Sequence, residues 1–178
     1  METPNSKIRS AVEGAIRTAF RGVTLGRGVS LRQAQLIDDP GNSSAYKALA
    51  SGEGAEVIDD WSRVNLDELE RDCIAHLDAL GFRYYIPALM LSVLDHYGSS
   101  SMRVIGTLGG LYPKKGNEWE YNMHRYSLLS PAQKAAIAQF LMELPKLVEL
   151  GSEDQKIVER ALRNYWDEWT TRSGSFKT

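Results

Sequence analysis

What most constrains the fold of this chain is a series of helix-start signals, each followed by apolar residues every third or fourth position. Ser130, Pro131 and Gln133 supply a cap, a proline at the first helical position and a glutamine at the third. Ala136, Ile137, Phe140, Leu141 and Leu144 follow as one stripe, and Pro145 should end or kink the helix. Such a stripe has to be buried against other elements.

The same reading applied along the chain yields a set of helices. Ile8, Val12, Ala15, Ile16, Ala19 and Phe20 predict a first helix over about 6–20. Three glycines in G-V-T-L-G-R-G-V then break it. Ser30 and Gln33 form a capping box for a short helix from Leu31 to about Ile37. A weak helix is expected at 45–50, followed by a flexible loop, S-G-E-G-A-E. Asn65 and Glu68 mark a start whose stripe is Leu66, Leu69, Cys73, Leu77 and Leu80, with Gly81 as terminator. F-R-Y-Y-I, residues 82–86, reads as an extended lead-in to a helix that opens at Pro87 and runs to about Tyr97. The last helix begins near Ser152 and buries Val158, Ala161, Leu162, Tyr165, Trp166 and Trp169. Only M-R-V-I-G-T-L, residues 102–108, reads as a strand. The expected fold is mainly α, a single compact domain over 1–178. It has six or seven helices and a small β element near 102–126, with disorder at 1–5 and 171–178.

With 178 residues, the chain can bury enough surface to fold without disulfides or metal. One cysteine, Cys73, excludes an internal disulfide and fits a reducing compartment. The N-terminus lacks an apolar signal core, and the longest apolar run is far below the roughly 20 residues that span a bilayer. A bacterial-style cytosolic protein is expected. Net charge is only −2 but unevenly spread: +4 over residues 1–35, −8 over 36–82, +3 over 83–146 and −1 over 147–178. An excess of −8 over 47 residues is either a field for a basic partner or a solvated face.

Catalytic and metal motifs are weak. Cys73 and His76 share a helix face, but Cys73 falls in the leucine stripe, where core packing explains it. Glu120 with His124, or Asp95 with His96, gives two ligands where zinc takes three or four. The glycine clusters match neither phosphate-binding fingerprint, and G-x-S-x-G is absent. No cofactor or metal is expected. The stretch 111–126 interleaves Tyr112, Trp119, Tyr121 and Tyr126 with Lys114, Lys115 and Arg125. That composition suits a protein interface or ordinary loop packing; overall acidity argues against nucleic acid.

Three landmarks, F-R-Y-Y-I-P-A at 82–88, L-S-P-A-Q at 129–133 and A-L-R-N-Y-W at 161–166, come in an order that resembles an uncharacterised bacterial family catalogued only as a domain of unknown function. Members are similar in their opening amphipathic helix and a segment like G-V-S-L-R-Q-A-Q-L-I-D-D, whereas the loop 99–122 is longer here. The resemblance spans residues 8–167 and carries no catalytic residues. It implies a small cytosolic accessory protein encoded near toxin or secretion genes.

The leading expectation is therefore a non-enzymatic binding protein, an immunity-type protein that covers a basic toxin domain. The acidic stretch from Glu53 to Asp72, with eight acids and two arginines, would steer that partner. Its expected contacts are Asp59, Asp60 and Trp61, the aromatic residues Tyr112, Trp119 and Tyr121, and the outward members of the 82–88 stretch, Arg83 and Tyr85. Trp61 is either a desolvated anchor ringed by charge or a staple under the first helix. An enzyme would need Arg83, Tyr85, His96, His124 and Arg125 to converge on one pocket. A DNA-binding regulator would have to use Arg9, Arg17, Arg21, Arg27 and Arg32.

Overall fold

The computed structural model describes residues 3–38, 52, 59–66, 74–98, 101–116 and 118–170. Among these, seven helices of eight residues or more and no strand occur: α1 (Pro4–Ala19), α2 (Leu31–Asp38), α3 (Ala79–His96), α4 (Ser101–Leu111), α5 (Trp119–Tyr126), α6 (Pro131–Leu147) and α7 (Ser152–Ala161). α7 continues through a π-helical turn, Leu162–Trp166, into Asp167–Thr170. The expected helix at 45–50, the S-G-E-G-A-E loop apart from Gly52, and the disorder expected at 171–178 lie outside the described residues.

Local chemistry explains where several helices begin. Thr3 caps α1, its hydroxyl accepting from the Ser6 amide, so the helix starts within the segment expected to be disordered. Ser30 and Gln33 make both reciprocal capping-box bonds at α2, and Ser130 and Gln133 make them at α6. Gln133 has a second role: its Nε2 donates to the Ala19 carbonyl, tying the start of α6 to the end of α1. The two helices therefore run antiparallel, with Val12 and Ile16 of one buried against the core that Ile137, Leu141 and Leu144 of the other share.

α3 is the central element, packed against α1, α4, α5 and α6. Phe82, Tyr84, Tyr85, Ile86, Leu89, Met90, Val93 and Leu94 are all buried, leaving it no polar face. Capped by Asp78, it begins at Ala79, eight residues before the expected start at Pro87. Asp78 Oδ1 accepts from the Gly81 amide at 2.7 Å and from the Val29 amide at 3.0 Å, so one carboxylate both caps α3 and clamps the 28–29 segment onto it. Gly81 thus lies in the first turn of α3 and does not terminate a preceding helix. A Cβ on Gly28 would sit 2.7 Å from Leu80 Cβ, and one on Gly81 would strike the Val29 carbonyl. Backbone meets backbone at this crossing, and both glycines are required by proximity. Pro87 is inside the helix, where it forgoes the bond its N–H would give to Arg83. F-R-Y-Y-I is helical. Of the helix expected from Asn65 to Leu80, residues 67–73 lie outside the described residues; Ile74–His76 is a 3₁₀ turn, Leu77 and Asp78 are not helical, and Leu80 already belongs to α3.

The predicted strand at 102–108 is helix α4. Its buried residues Val104, Thr107, Leu108 and Leu111 repeat at helical spacing, and Thr107 donates its hydroxyl to the Arg103 carbonyl one turn back. The end of α4 is held by three side chains. Arg125 and Tyr126 donate to the Gly110 carbonyl, and Trp166 donates its indole N–H to the Leu111 carbonyl at 2.7 Å. These bonds satisfy carbonyls that a helix end leaves without partners. No described helix is long and apolar enough to cross a membrane.

Candidate functional site

Where α1 ends, the chain turns through Gly22, which has φ +71, a left-handed conformation natural to glycine. The 59–62 segment folds back against this turn. Its key is Trp61, 5% exposed, whose Nε1 donates to the Phe20 carbonyl at 2.8 Å. Trp61 is therefore the staple under the first helix; its ring is buried and is not an exposed anchor. The flanking aspartates stay exposed while their carboxylates organise backbone. Asp59 Oδ1 accepts from the Leu25 amide at 2.6 Å, and Asp60 Oδ1 accepts from both the Ser62 amide and the Ser62 hydroxyl. The Ser62 hydroxyl, followed by its amide, holds the Asp60 carboxyl below its usual range, with Arg63 adding in the same direction. Asp60 is ionised at neutral pH.

A cleft of about 470 Å³ lies between these parts, lined by Arg17, Arg21, Gly22 and Val23 on one side and Asp59, Asp60, Trp61 and Ser62 on the other. That size falls in the usual range for small-ligand sites. Arg17, in the last turn of α1, and Arg21, in the turn that follows it, are both exposed. Among the described residues no ion pair joins either arginine to Asp59 or Asp60. The arginines were not among the residues expected to accompany Asp59 and Asp60. Their i, i+4 spacing was legible, but their meeting with a segment some 40 residues away was not.

The remaining candidates scatter. Tyr85 is fully buried, its ring edge-on to Tyr84 at 4.7 Å, and does not face outward. The cause is the continuous helix through 82–86, surrounded by packed neighbours. Arg83 is half-buried, with its Nε enclosed and without a hydrogen-bond partner. Tyr112 is half-buried against the core. Trp119 and Tyr121 both belong to α5 and stand two positions apart, so they point to different sides. Trp119 meets Tyr165 edge-on at 6.4 Å, while Tyr121 is exposed and donates its hydroxyl to the Ala75 carbonyl. The aromatic stretch is not one surface.

Nor do the five residues proposed for an enzyme converge. His96 lies 13 positions beyond Arg83 on α3, about 20 Å along the axis. His124 is exposed, and Arg125 is buried in the core. Arg125 donates to the carbonyls of Ile74 and Gly110 and to Asn122 Oδ1, each at 3.1 Å, with its guanidinium over the rings of Phe82 and Tyr121. It is a structural cation, stabilised by carbonyl dipoles and aromatic faces. Of the N-terminal arginines, Arg9 pairs with Glu13 and Asp95 and donates to the Leu94 carbonyl. No cluster of three or more metal-ligating side chains occurs among the described residues. Cys73 and most of the acidic stretch around it lie outside them.

No curated protein and no solved structure matches the chain. One family model does match, over residues 8–170, nearly the whole chain. The protein belongs to that family, a family of unknown function designated DUF6714.

Proposed function

We propose that the chain is a non-enzymatic cytosolic binding protein, most concretely an immunity-type protein that neutralises a bacterial toxin by covering it. The observation that supports this reading is the rim at 59–62. Asp59 and Asp60 present charge to solvent from backbone that is already pinned by Leu25, Ser62 and the buried Trp61. A preorganised charged rim loses little entropy when a partner docks, and it steers a partner of opposite charge. The dispersal of Arg83, Tyr85, His96, His124 and Arg125 favours binding over catalysis.

The experiment is co-expression with the product of the neighbouring gene, followed by co-purification and a toxicity assay. A stable complex that Asp60→Lys weakens at least tenfold is the expected result. Asp60 is the residue to alter, because Trp61→Ala removes a core ring and costs about 3–5 kcal/mol of folding stability. Absence of a complex, together with toxicity unchanged on deletion of this gene, refutes the reading.

A further inference from the structure

The cleft beside Trp61 carries information beyond the binding-protein reading and does not depend on it. Its two walls have opposite charge. Arg17 and Arg21 bring two guanidinium groups whose donors are uncommitted to any described carboxylate. Asp59 and Asp60 each use Oδ1 for their amide bonds, and neither Oδ2 has a hydrogen-bond partner among the described residues. The carboxylates are fixed in place by those bonds, while Arg17 projects from the last turn of α1 and Arg21 from the turn after it. The walls nonetheless do not close on each other as ion pairs.

Opposite charges that line one cleft without touching leave room for a molecule that completes both sets of contacts. A simple anion would meet the aspartates, and a simple cation would meet the arginines; each would be repelled on one side. A zwitterion satisfies both walls. Arginine forks suit a carboxylate, which they can bind in bidentate fashion, and the aspartate oxygens accept from an ammonium. Trp61 is the one aromatic residue among the described residues that line the cleft. We infer that this cleft is a binding site for a small zwitterion bearing a carboxylate and an ammonium group, an amino acid or short peptide, with Arg17 and Arg21 holding the carboxylate and Asp59 and Asp60 the ammonium.

Trp61 also supplies the readout. The chain has four tryptophans, and its indole N–H resonances can be assigned by Trp→Phe substitution in the uniformly ¹⁵N-labelled full-length protein. Glycylglycine is titrated at pH 7, alongside N-acetylglycylglycine, which keeps only the carboxylate, and glycylglycinamide, which keeps only the ammonium, all at matched ionic strength. The expected result is a saturable shift of the Trp61 indole with glycylglycine, while each capped probe binds about tenfold or more weakly. Arg17→Gln combined with Arg21→Gln should abolish the response, as both side chains are exposed and the substitutions leave the melting temperature intact. Asp60→Asn, whose amide oxygen can still accept from Ser62, should weaken it with no change in fold, and it decides the matter should the double variant unfold. No saturable shift, an equal response to all three probes, or a response that survives in folded variants would overturn the inference. Zwitterion binding without a toxin partner would sink the proposed function and leave this site standing; the reverse outcome would do the opposite.

Discussion

At the scale of single residues, the sequence neighbourhood of a side chain is a poor guide to its burial. Trp61 sits in D-D-W-S-R, a charged setting, yet it is core because its indole reaches the Phe20 carbonyl 41 positions away. Arg125 looked like an exposed cation among aromatics and is 3% exposed, because three acceptors converge on it. Arg125→Met keeps much of the volume but leaves the Ile74 carbonyl and Asn122 Oδ1 without that donor. It should cost about 2–4 kcal/mol, read as a lower urea midpoint at unchanged slope. The adjacent Tyr126 is buried, and that burial pushes its phenol well above the ordinary tyrosine range, with Tyr165 adding and Arg125 opposing. Its folded pKa is raised, so the stability it contributes is complete below the unfolded value of about 10 and is lost as pH rises from there toward the folded value. Unfolding free energy measured from pH 8 to 11.5 should fall above about pH 10. Tyr126→Phe should flatten that fall, while losing the bond to Gly110 at every pH.

At the scale of elements, what was legible was chemistry written within one turn. The capping boxes at Ser30 and Ser130, and the stripe of α6, depend on residues three or four apart, and the structure has them where the pattern requires. What was not legible depends on contacts across the chain. Proline suits the first turn, so the sequence places a helix start at Pro87, but the Asp78 cap begins the helix earlier, and the packed core tolerates one missing bond. Residues 102–108 are rich in apolar residues that suit a strand, and their burial at 104, 107 and 108 fits helix equally well over so short a run. The cleft was half legible: Asp59 and Asp60 stood out by charge, whereas Arg17 and Arg21 needed the fold to bring them opposite. The crossing of α3 over the 28–29 segment gives an element-scale prediction. Gly81→Ala places a methyl group against the Val29 carbonyl, so the two backbones must separate and the Asp78 clamp must stretch. A loss of about 1–3 kcal/mol in chemical denaturation is expected. Gly14→Ala is the control: a Cβ there meets nothing, it lies in the exposed interior of α1, and alanine should stabilise by about 0.5–1 kcal/mol.

At the scale of the whole molecule, the buried residues form one cluster that runs from Val12 of α1 and Phe20 just past its end, through Phe82 to Leu94 of α3, to Tyr126, Phe140 and Trp166. The two ends of the chain are tied into it by different locks. Trp61 fastens the end of α1 at the cleft, and Trp166 fastens the end of α4 through Leu111. Tyr97 adds a third lock, accepting from the Gly151 amide and donating to Asp154 Oδ2, which joins the end of α3 to the start of α7. Because α3 touches the elements on both sides, neither lock can open fully without exposing its apolar surface. The expectation is a single cooperative unfolding transition. Two variants test it, one retaining only Trp61 and one only Trp166, with the other tryptophans changed to phenylalanine. In each, the fluorescence midpoint in urea should coincide with the far-ultraviolet circular dichroism midpoint of the same variant. A Trp61 signal that melts before the helical signal would mean that the α1 end and the cleft form a separate, weaker unit, and that ligand binding there could be regulated without unfolding the rest.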